Sequence, residues 1–437
     1  MSTERETIGV IGVGWVGLVT AACFAELGHR VIARDIVPEK VEALSRGETM
    51  IHEPGLDELL HKNADRLTFT TEMGEVLDAA SLLFVCVDTP PTHSGDADLS
   101  RVRTVVDELD ADGDHVLVMK STVPAGTGNA IRRDLPNLAY VSCPEFLKEG
   151  SAVADFLHPD RVVIGADPGD EAAGAMVADL YEPLGGELVQ TDVTSAEMIK
   201  LASNAFLATK ISFINEIANV CEEVGADVGE VSRGMGLDER IGPRFLSAGI
   251  GWGGSCFGKD TIALKKLAGN SGYHFQLLSA VIEVNELQKR RVVGKLKKHL
   301  GSLAGRRIAL LGLAFKPETD DMRDASSLVL AGRLEGEGAE PVAYDPIAAG
   351  RARQLLPTVE LAPSALDALD GAEAAVLVTE WPEFAEIDWR EAAGRMARPL
   401  LVDGRNFLDA DVLRAAGFEY EGIGRAVSAA AAPSRAD

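Results

Sequence analysis

Lysine and arginine are scarce in this 437-residue chain, and lysine is the scarcer of the two. The sequence has 42 lysines and arginines, of which 14 are lysines, against 68 aspartates and glutamates, so the formal net charge is −26. A surface this acidic repels polyanions, which excludes nucleic acid and anionic membranes as expected partners. An acidic, lysine-poor surface suits a salt-rich cytoplasm, and it also suits an ordinary acidic bacterial enzyme, so the salt content of the host stays open.

Cysteine is also rare, and its placement excludes two classes of protein. The cysteines are odd in number and scattered, without a CxxC pair or a histidine at zinc-finger spacing: Cys23, Cys86, Cys143, Cys221 and Cys256. A disulfide scaffold and a zinc module are therefore excluded, no metal site is predicted, and reduced thiols indicate a cytoplasmic protein. The polar first seven residues lack the basic start of a signal peptide.

Apolar runs are short or interrupted. The run from Ile8 to Leu27 is long enough for a membrane span, but it contains four glycines, which fit a strand, a turn and a helix better. Strand-length runs alternate with helical segments over the first 190 residues, at 8–13, 30–33, 82–87, 115–120, 139–142 and 161–164. Such alternation predicts a parallel sheet covered on both faces.

The rest of the chain contains a helical region followed by a second region of alternating strands and helices. From Ser195 to about Leu300 the strand signals fade and helical periodicity takes over, with one long helix, or two in tandem, over 195–224. Strand and helix alternate again from Arg306, with apolar runs at 308–311, 341–344, 375–379 and 400–402. The start of this second region resembles the start of the first, since Ile308-Ala-Leu-Leu-Gly312 matches Ile8-Gly-Val-Ile-Gly12.

We therefore predict an α/β fold with two Rossmann-like, doubly wound parallel-sheet domains joined by a central helical region that contains a long helix. The first domain spans 1–190 and binds a dinucleotide. The central helical region, 191–300, carries Cys256 and forms a dimer. The second Rossmann-like domain spans 301–426. The tail 427–437 is rich in alanine, serine and proline, so we expect it to be disordered.

A glycine-rich segment, GVGWVG at 12–17, follows the first apolar strand and opens a helix. Gly12 permits a tight turn, Gly14 lets the backbone approach a pyrophosphate, and Gly17 lets the helix pack closely on the sheet. Asp35 at the end of the next strand would accept hydrogen bonds from the ribose hydroxyls and repel a 2′-phosphate. NAD is therefore favoured over NADP, although the arginine beside Asp35 weakens this preference.

A thiol, an ammonium and a carboxylate occur together at Cys256, Lys259 and Asp260, after a run with four glycines. If Cys256 opens a helix, its thiol shares a face with Asp260, and the helix terminus and Lys259 lower the pKa of the thiol. The N–H groups of the glycine run could approach a sugar or phosphate. A thiol near a redox cofactor predicts oxidation of an alcohol to an acid through a thioester. The alternative is a buried, inert cysteine.

Two further pairs are spaced by four residues. Glu145 and Glu149 would face one way on a helical turn and suit water or hydroxyl binding, while Lys200 and Asn204 on the long helix suit a developing oxyanion. Solvated surface pairs are the alternative reading for both. Thr89 and Thr122 stand where two strands should end, and simple loop chemistry is an equal alternative there. The basic residues between 289 and 299 indicate a solvated helix face, with phosphate binding as the minor alternative.

Together these motifs resemble the UDP-glucose/GDP-mannose dehydrogenase family, from Ile8 to about Phe407. Six segments carry the resemblance in order: GVGWVG (12–17), STVPAGT (121–127), PEFLKEG (144–150), KLASNAFLA (200–208), GGSCFGKD (253–260) and GLAFKPETDDMR (312–323). The resemblance implies an NAD domain, a central dimerisation region and a domain that binds the sugar nucleotide. It also implies two oxidations of a C6 alcohol with two NAD⁺, the second through a thiohemiacetal and a thioester on Cys256.

The resemblance also implies roles for individual residues. Cys256 is the expected nucleophile and Asp260 the residue that activates water or moves protons, while Lys200 and Asn204 steady the oxyanion and Glu145 and Thr122 hold water or substrate. Expected NAD contacts are Gly12, Gly14, Val16, Gly17, Asp35, Lys40, Thr89, Thr122, Glu149, Lys259 and Arg323. Expected substrate contacts are Glu145, Phe146, Leu147, Lys148, Lys200, Asn204, Arg240 (from a neighbouring subunit), Phe245, Leu246, Gly253, Lys316 and Arg405.

Three positions depart from the family pattern: Asp88 replaces a small or neutral residue, Trp252 a tyrosine or phenylalanine, and Gly258 a proline. Segments 146–152 and 245–251 look most like UDP-glucose enzymes, and Ser255 stands where N-acetylhexosamine enzymes commonly have histidine. We expect UDP-glucose as substrate, with GDP-mannose or a UDP-N-acetylhexosamine as the alternatives. A catalytically silent NAD-binding scaffold or sensor is the hypothesis from another class.

Overall fold

The structure, a computed structural model, describes residues 6–109 and 114–425. The predicted disordered tail, 427–437, lies outside these residues. The chain forms two compact units: the first contains the residues up to Asn204 together with Lys259–His274, and the second contains Ala205–Gly258 and the residues from Phe275 onward. None of the helices in the described ranges has the length and apolarity needed to cross a membrane.

Within the described residues, the first unit contains an eight-stranded sheet in the order β3-β2-β1-β4-β5-β6-β7-β8. Its strands are β1 (Thr7–Ile11), β2 (Arg30–Arg34), β3 (Leu67–Thr70), β4 (Leu82–Val85), β5 (Val116–Met119), β6 (Ala139–Ser142), β7 (Arg161–Ala166) and β8 (Glu187–Thr191). Its helices are α1 (Trp15–Glu26), α2 (Pro38–Ser45), α3 (Leu56–Lys62), α4 (Met73–Ala79), α5 (Ser100–Asp107), α6 (Thr127–Asp134), α7 (Ala152–Leu157) and α8 (Glu171–Tyr181).

The doubly wound parallel sheet is confirmed, with two differences in detail. Strand β7 runs antiparallel to β6, whereas every other pair in this sheet is parallel. Strands β3 and β8 were not predicted from the sequence. Both are edge strands with partly exposed, mixed polar and apolar residues, so they lack the continuous apolar run that identifies a strand buried on both faces.

Five helices follow: α9 (Val193–Val224), α10 (Val228–Gly236), α11 (Phe257–Asn270), α12 (Gln276–Gln288) and α13 (Arg291–Leu300). Helix α9 confirms the predicted long helix as one element of 32 residues. The two compact units share this helical region along the sequence, because the first ends within α9 and takes up most of α11. The predicted three-way division at residues 190 and 300 stays a prediction.

The sheet of the second unit has six parallel strands within the described residues, in the order β11-β10-β9-β12-β13-β14. They are β9 (Arg307–Leu311), β10 (Glu340–Tyr344), β11 (Glu360–Leu361), β12 (Ala374–Leu377), β13 (Leu400–Asp403) and β14 (Glu419–Gly422). The helices are α14 (Ser326–Gly336), α15 (Ala349–Leu355), α16 (Ala365–Leu369), α17 (Pro382–Ala385), α18 (Trp389–Arg395) and α19 (Ala410–Ala415).

The similarity between the starts of the two sheets extends to their hydrogen bonds. Gly12 and Gly312 both adopt positive φ, at 94° and 92°. The carboxylate of Asp35 accepts a hydrogen bond from the N–H of Val13, and that of Asp345 accepts one from the N–H of Leu313. Each unit therefore ends its second strand with a buried aspartate that fixes the turn after its first strand.

Candidate active site

The turn between β1 and α1 has the form that a dinucleotide pyrophosphate requires. A Cβ at Gly17 would overlap the carbonyl oxygen of Gly12, so the helix packs this closely only because residue 17 is glycine. At Gly14 the nearest atom to such a Cβ is 3.8 Å away, which leaves the backbone open to a ligand. Val16 lies in the first turn of α1, whose N–H groups attract phosphate.

Asp35 and Lys40, both predicted to contact the cofactor, also contact each other. The Nζ atom of Lys40 lies 2.9 Å from Oδ2 of Asp35, and the N–H of Val37 donates to Oδ1. Arg34, the neighbour that weakened the preference for NAD, pairs with Glu108 at 3.0 Å. The guanidinium is therefore engaged by a carboxylate, which favours a cofactor that lacks the 2′-phosphate.

Lys200 and Glu145 form a buried ion pair. Glu145 follows β6, Lys200 lies on α9, and their Nζ and Oε1 atoms are 2.7 Å apart with side chains only 3% and 5% exposed. Burial raises the pKa of the Glu145 carboxyl, but the charge and hydrogen bond of Lys200 and the N–H of Leu147 outweigh it and hold the pKa below its usual value. Glu145 is therefore an ionised acceptor at neutral pH.

Asn204, one helical turn beyond Lys200, contacts a second carboxylate. Its Nδ2 atom donates to Asp260 Oδ2 at 2.6 Å, and Lys259 Nζ lies 2.7 Å from the other oxygen of this carboxylate. Asp260 is 1% exposed. The predicted pair on α9 is thus brought to two different carboxylates, one on the loop after β6 and one in the first turn of α11.

Thr89 connects this group to the ends of two neighbouring strands. Its hydroxyl donates to the carbonyl oxygen of Thr122 at 2.7 Å, and Lys259 Nζ lies 3.5 Å from the same hydroxyl. Thr89 follows β4 and Thr122 follows β5, so both stand at the carboxyl edge of the sheet, where ligands of doubly wound sheets bind. The two threonines named from the sequence therefore lie in contact at this edge.

The segment from Glu145 to Glu149 differs from its prediction. Residues 143–148 form a loop between β6 and α7, so the expected helical turn that aligned the two carboxylates was wrong. Both glutamates are nevertheless buried. The guanidinium carbon of Arg161 lies 3.9 Å from the centre of the Phe146 ring, and the exposed Lys148 forms an ion pair with Asp155.

Glu53 is a buried residue of this unit that sequence reasoning missed. Its carboxylate accepts hydrogen bonds from the indole N–H of Trp15 and from the backbone N–H groups of Gly150 and Ala152, at 2.9, 2.8 and 2.8 Å. It therefore joins the glycine-rich turn to the loop that carries Glu145. The only sequence signal was an acidic residue directly before Pro54 and Gly55, which is typical of a turn.

Glu197 is a second missed carboxylate, one turn before Lys200 on α9. Its oxygens accept hydrogen bonds from the N–H groups of Gly126 and Gly128 at 2.6 and 2.8 Å. Burial raises its pKa from 4.5 to about 7, against the lowering effect of these two N–H groups. Glu197 therefore fixes the STVPAGT segment to the long helix and titrates close to neutral pH.

Cys256 belongs to the second compact unit and directly precedes α11. It is partly exposed, whereas the other four cysteines are buried, and no disulfide joins any of the five. Burial raises the pKa of Cys23 and of Cys86 to about 12. Accessibility thus separates Cys256 from the other four thiols.

The glycine run before Cys256 uses its N–H groups internally. Those of Gly249, Trp252 and Gly254 donate to Asn215, Asn285 and the carbonyl of Arg323. The expectation that the N–H groups of the glycines meet a ligand was therefore wrong for Gly249 and Gly254. A Cβ at Gly253 would lie 2.5 Å from the carbonyl oxygen of Asp324, so close packing within the unit already requires glycine there.

The remaining predicted substrate residues lie in the second unit. Arg240 is largely exposed and pairs with Asp238 at 2.6 Å. Phe245 has a positive φ of 65°, which is strained for a bulky residue, and Leu246 beside it is buried. Arg405 donates to the carbonyl oxygens of Val378 and Gly251.

Lys316, Arg323 and the basic residues between 289 and 299 also lie in the second unit. Lys316 lies over the ring of Phe315, and Arg323 pairs with Asp321 at 2.8 Å. The predicted solvated face between 289 and 299 was wrong in part, since Lys289 and Lys295 are buried. Lys295 contacts both Glu222 and Glu421, so this cluster contains structural ion pairs.

The three departures from the family pattern have distinct surroundings. Asp88 is exposed and pairs with Arg101 at 2.7 Å, close to Gly14. A Cβ at Gly258 would clash with the carboxylate of Asp324, so Asp324 occupies the space that a proline would need. The indole of Trp252 donates to Ser212.

The fold and the glycine-rich turn define an NAD-binding oxidoreductase with a second Rossmann-like unit. Family models match in order: the NAD binding domain (6–185), the central domain (194–287) and the UDP binding domain (309–410) of the UDP-glucose/GDP-mannose dehydrogenase family. This chain belongs to that family.

Named relatives and a solved structure agree with the family models. TuaD and YwqF of Bacillus subtilis (strain 168), both named UDP-glucose 6-dehydrogenase, are 44% and 46% identical to this chain. The alignments cover 98% and 96% of this chain and 95% and 97% of the relatives. A UDP-glucose dehydrogenase structure from Pyrobaculum islandicum matches with a TM-score of 0.90 at 38% identity, over 97% of this chain and 99% of that one.

Proposed function

We propose that this protein oxidises the C6 alcohol of UDP-glucose to a carboxylate, which yields UDP-glucuronate and consumes two NAD⁺. The observation that carries the chemistry is that α9 presents Lys200 and Asn204 to two buried carboxylates, Glu145 and Asp260, in the NAD-binding unit. The choice of sugar nucleotide is supported by the relatives named UDP-glucose 6-dehydrogenase.

The cofactor site is supported by the glycine-rich turn, which leaves Gly14 open and whose Val13 N–H holds the carboxylate of Asp35, the residue proposed to bind the ribose. Gly14 and Asp35 would hold NAD there, and the cofactor would supply the hydride acceptor for each oxidation. Lys200 supplies positive charge and Asn204 an amide donor to the C6 oxygen as it gains negative charge. Asp260, which contacts Lys259 and accepts a hydrogen bond from Asn204, receives the alcohol proton.

Cys256 acts in the second oxidation. Its sulfur adds to the aldehyde carbon, and the carbonyl oxygen takes a proton, so that a thiohemiacetal forms. This adduct loses a hydride, for which NAD⁺ would be the acceptor, and its hydroxyl proton passes to solvent, which leaves a thioester. Water then cleaves the carbon–sulfur bond, which releases the acid and returns a proton to the thiol. Glu145, ionised at neutral pH, accepts a hydrogen bond from that water beside Thr122.

The protein acts as a homodimer in the cytoplasm in this proposal. Phe206, Phe213 and Val220 recur every seven residues along α9 and are 66%, 47% and 55% exposed. A stripe of this kind suits a second copy of the same helix. Arg240, 88% exposed in its side chain, is the residue proposed to reach the partner's substrate. Sedimentation of Phe213→Glu tests the dimer: a monomeric variant supports it, and an unchanged mass rejects this face.

A substrate panel tests the reaction. UDP-glucose, GDP-mannose and UDP-N-acetylhexosamines are each incubated with NAD⁺, and absorbance at 340 nm is followed to completion. Two NADH per UDP-glucose is the expected result. Turnover of another sugar nucleotide instead would change the substrate, and no turnover with any of them would leave the NAD-binding scaffold or sensor as the better account.

A further inference from the structure

The segment from Gly249 to Trp252, which leads to Cys256, is held at its first residue by two buried side-chain amides. Oδ1 of Asn215, on α9, accepts the N–H of Gly249 at 2.8 Å. Nε2 of Gln288, on α12, donates to the carbonyl oxygen of the same residue at 2.8 Å. Asn215 is 0% exposed and Gln288 1% exposed, so both hydrogen bonds to Gly249 are shielded from solvent.

Asn285 holds the other end of the segment. Its Oδ1 accepts the N–H of Trp252 at 2.8 Å, and its Nδ2 donates to the carbonyl oxygen of Trp252 at 3.0 Å. One side chain thus replaces the pair of backbone hydrogen bonds that a neighbouring strand would supply. A Cβ at Gly251 would lie 2.7 Å from Asn285 Oδ1, so the loop is shaped around this amide.

The middle of the segment and the Trp252 side chain are also bonded. The N–H of Ile250 donates to Gly404, and the hydroxyl of Ser326 donates to the carbonyl of Ile250. The Trp252 indole donates to Ser212 Oγ at 3.0 Å. Polar contacts therefore hold each residue from 249 to 252, and Cys256 follows four residues later.

A buried asparagine inside α12 costs folding free energy, and its hydrogen bonds to the loop at Trp252 offset this cost. Asparagine is a poor helix former, and a buried amide without partners costs roughly 1–3 kcal/mol. Asn285 lies inside α12 and is 1% exposed, and both of its polar atoms bind Trp252 rather than the helix. The requirement for one donor and one acceptor on the same side chain also excludes an ionised aspartate, which only accepts.

We propose that Asn285 is a positioning residue for Cys256, which sets where the thiol stands for the second oxidation. This inference rests on the proposed function, because it assigns Cys256 to that step. It predicts that disturbing Asn285 slows the step that uses the thiol and spares the step that does not.

The test is Asn285→Asp, which keeps the size of the side chain and removes the donor to Trp252. Single-turnover absorbance at 340 nm resolves the two NADH equivalents, and a carbonyl trap quantifies the aldehyde. We expect the second phase to slow at least tenfold while the first stays within threefold, the same split as in Cys256→Ser. Asn129→Asp is the matched control, since Asn129, on α6, is exposed and donates a hydrogen bond to Thr194 on α9.

Equal slowing of both phases, or wild-type kinetics, would overturn the proposal. If Asn285→Asp does not fold, Ser212→Ala replaces it, because this change removes the hydroxyl that accepts the hydrogen bond of the Trp252 indole. We then expect the second phase to slow at least threefold while the first phase is unchanged. Absence of this selective slowing overturns the proposal.

A second measurement does not depend on turnover. Alkylation of Cys256 by iodoacetamide is followed by mass spectrometry, with the four buried cysteines as internal references. A change of at least threefold at Cys256 alone supports positioning. No change at Cys256, or parallel changes at all five thiols, contradicts it. If the wild type makes no NADH from UDP-glucose, the proposed function fails, and this labelling still decides the role of Asn285.

Discussion

At the residue scale, we predict that the Lys200–Glu145 ion pair contributes both to stability and to the proposed reaction. Lys200→Met leaves a buried carboxylate without its cation, which costs about 3–5 kcal/mol in proteins generally. We expect a lower unfolding free energy and, because the oxyanion loses its positive charge, at least a 100-fold lower kcat/KM. Denaturant unfolding and initial rates at 340 nm measure the two effects.

The double variant Lys200→Met/Glu145→Gln separates the two roles. It removes both charges, so most of the stability should return while the activity stays low. If the single variant unfolds like the wild type, the ion pair contributes nothing to stability, and if the double variant regains activity, Lys200 has no direct part in the reaction.

Glu197 leads to a prediction about pH. Its pKa is about 7 in the folded protein, against 4.5 for an ordinary glutamate. Between these values the folded protein binds more protons than the unfolded chain, so stability falls as the pH rises from about 5 to 7, by up to about 3 kcal/mol. Glu197→Gln cannot titrate, and subtracting its unfolding free energies from those of the wild type isolates this effect. A difference that is flat across the window contradicts the assignment.

At the scale of elements, the glycine turn before α1 couples close packing to cofactor binding. A side chain at Gly17 meets the carbonyl oxygen of Gly12, so Gly17→Ala has to push the helix from the turn. We expect NAD⁺ affinity to fall at least tenfold in isothermal titration. Gly74→Ala, in α4, is the matched control because no atom lies within 4 Å of its Cβ position. Equal affinities for the two variants would refute the packing argument.

The elements also show which information the sequence holds. Strands buried on both faces, such as β4 and β5, have continuous apolar runs and were predicted, while the edge strands β3 and β8 were not. The proposed site residues could be named from the sequence because glycine, lysine, cysteine and carboxylates recur at family spacings. Glu53, Glu197 and Asn285 could not be found, because their partners lie 30 to 100 residues away and only the fold brings them together.

Helix α9 has some features that the sequence predicts and others that only the fold shows. Its periodicity predicted its length, and its residues 200 and 204 carry two of the predicted site groups. The partners of these groups, Glu145 and Asp260, come from a loop and from another helix, so the four-residue spacing alone could not identify them. The spacing correctly predicted a shared helix face, and the contacts add that the two side chains bind separate carboxylates.

At the scale of the whole molecule, the charge of −26 decides how the protein responds to salt. Like charges on a compact surface repel one another, and salt weakens this repulsion as the Debye length falls from about 10 Å at 0.1 M to about 3 Å at 1 M. We expect the thermal midpoint to rise with potassium chloride, and sucrose at equal osmolality is the control for effects other than screening. A midpoint that does not change with salt would contradict this expectation.

The dependence of the thermal midpoint on salt concentration distinguishes a protein from a salt-rich cytoplasm from an ordinary acidic bacterial enzyme. Screening of an ordinary acidic surface is nearly complete once the Debye length is shorter than the spacing between charges, so the midpoint should level off below about 0.5 M. A protein adapted to a salt-rich cytoplasm should continue to gain stability well above about 1 M, and its initial rates should rise with salt over the same range. Because NAD⁺ and a sugar nucleotide are both anions, screening also favours their approach to this surface, so KM for both should fall together as salt is first added.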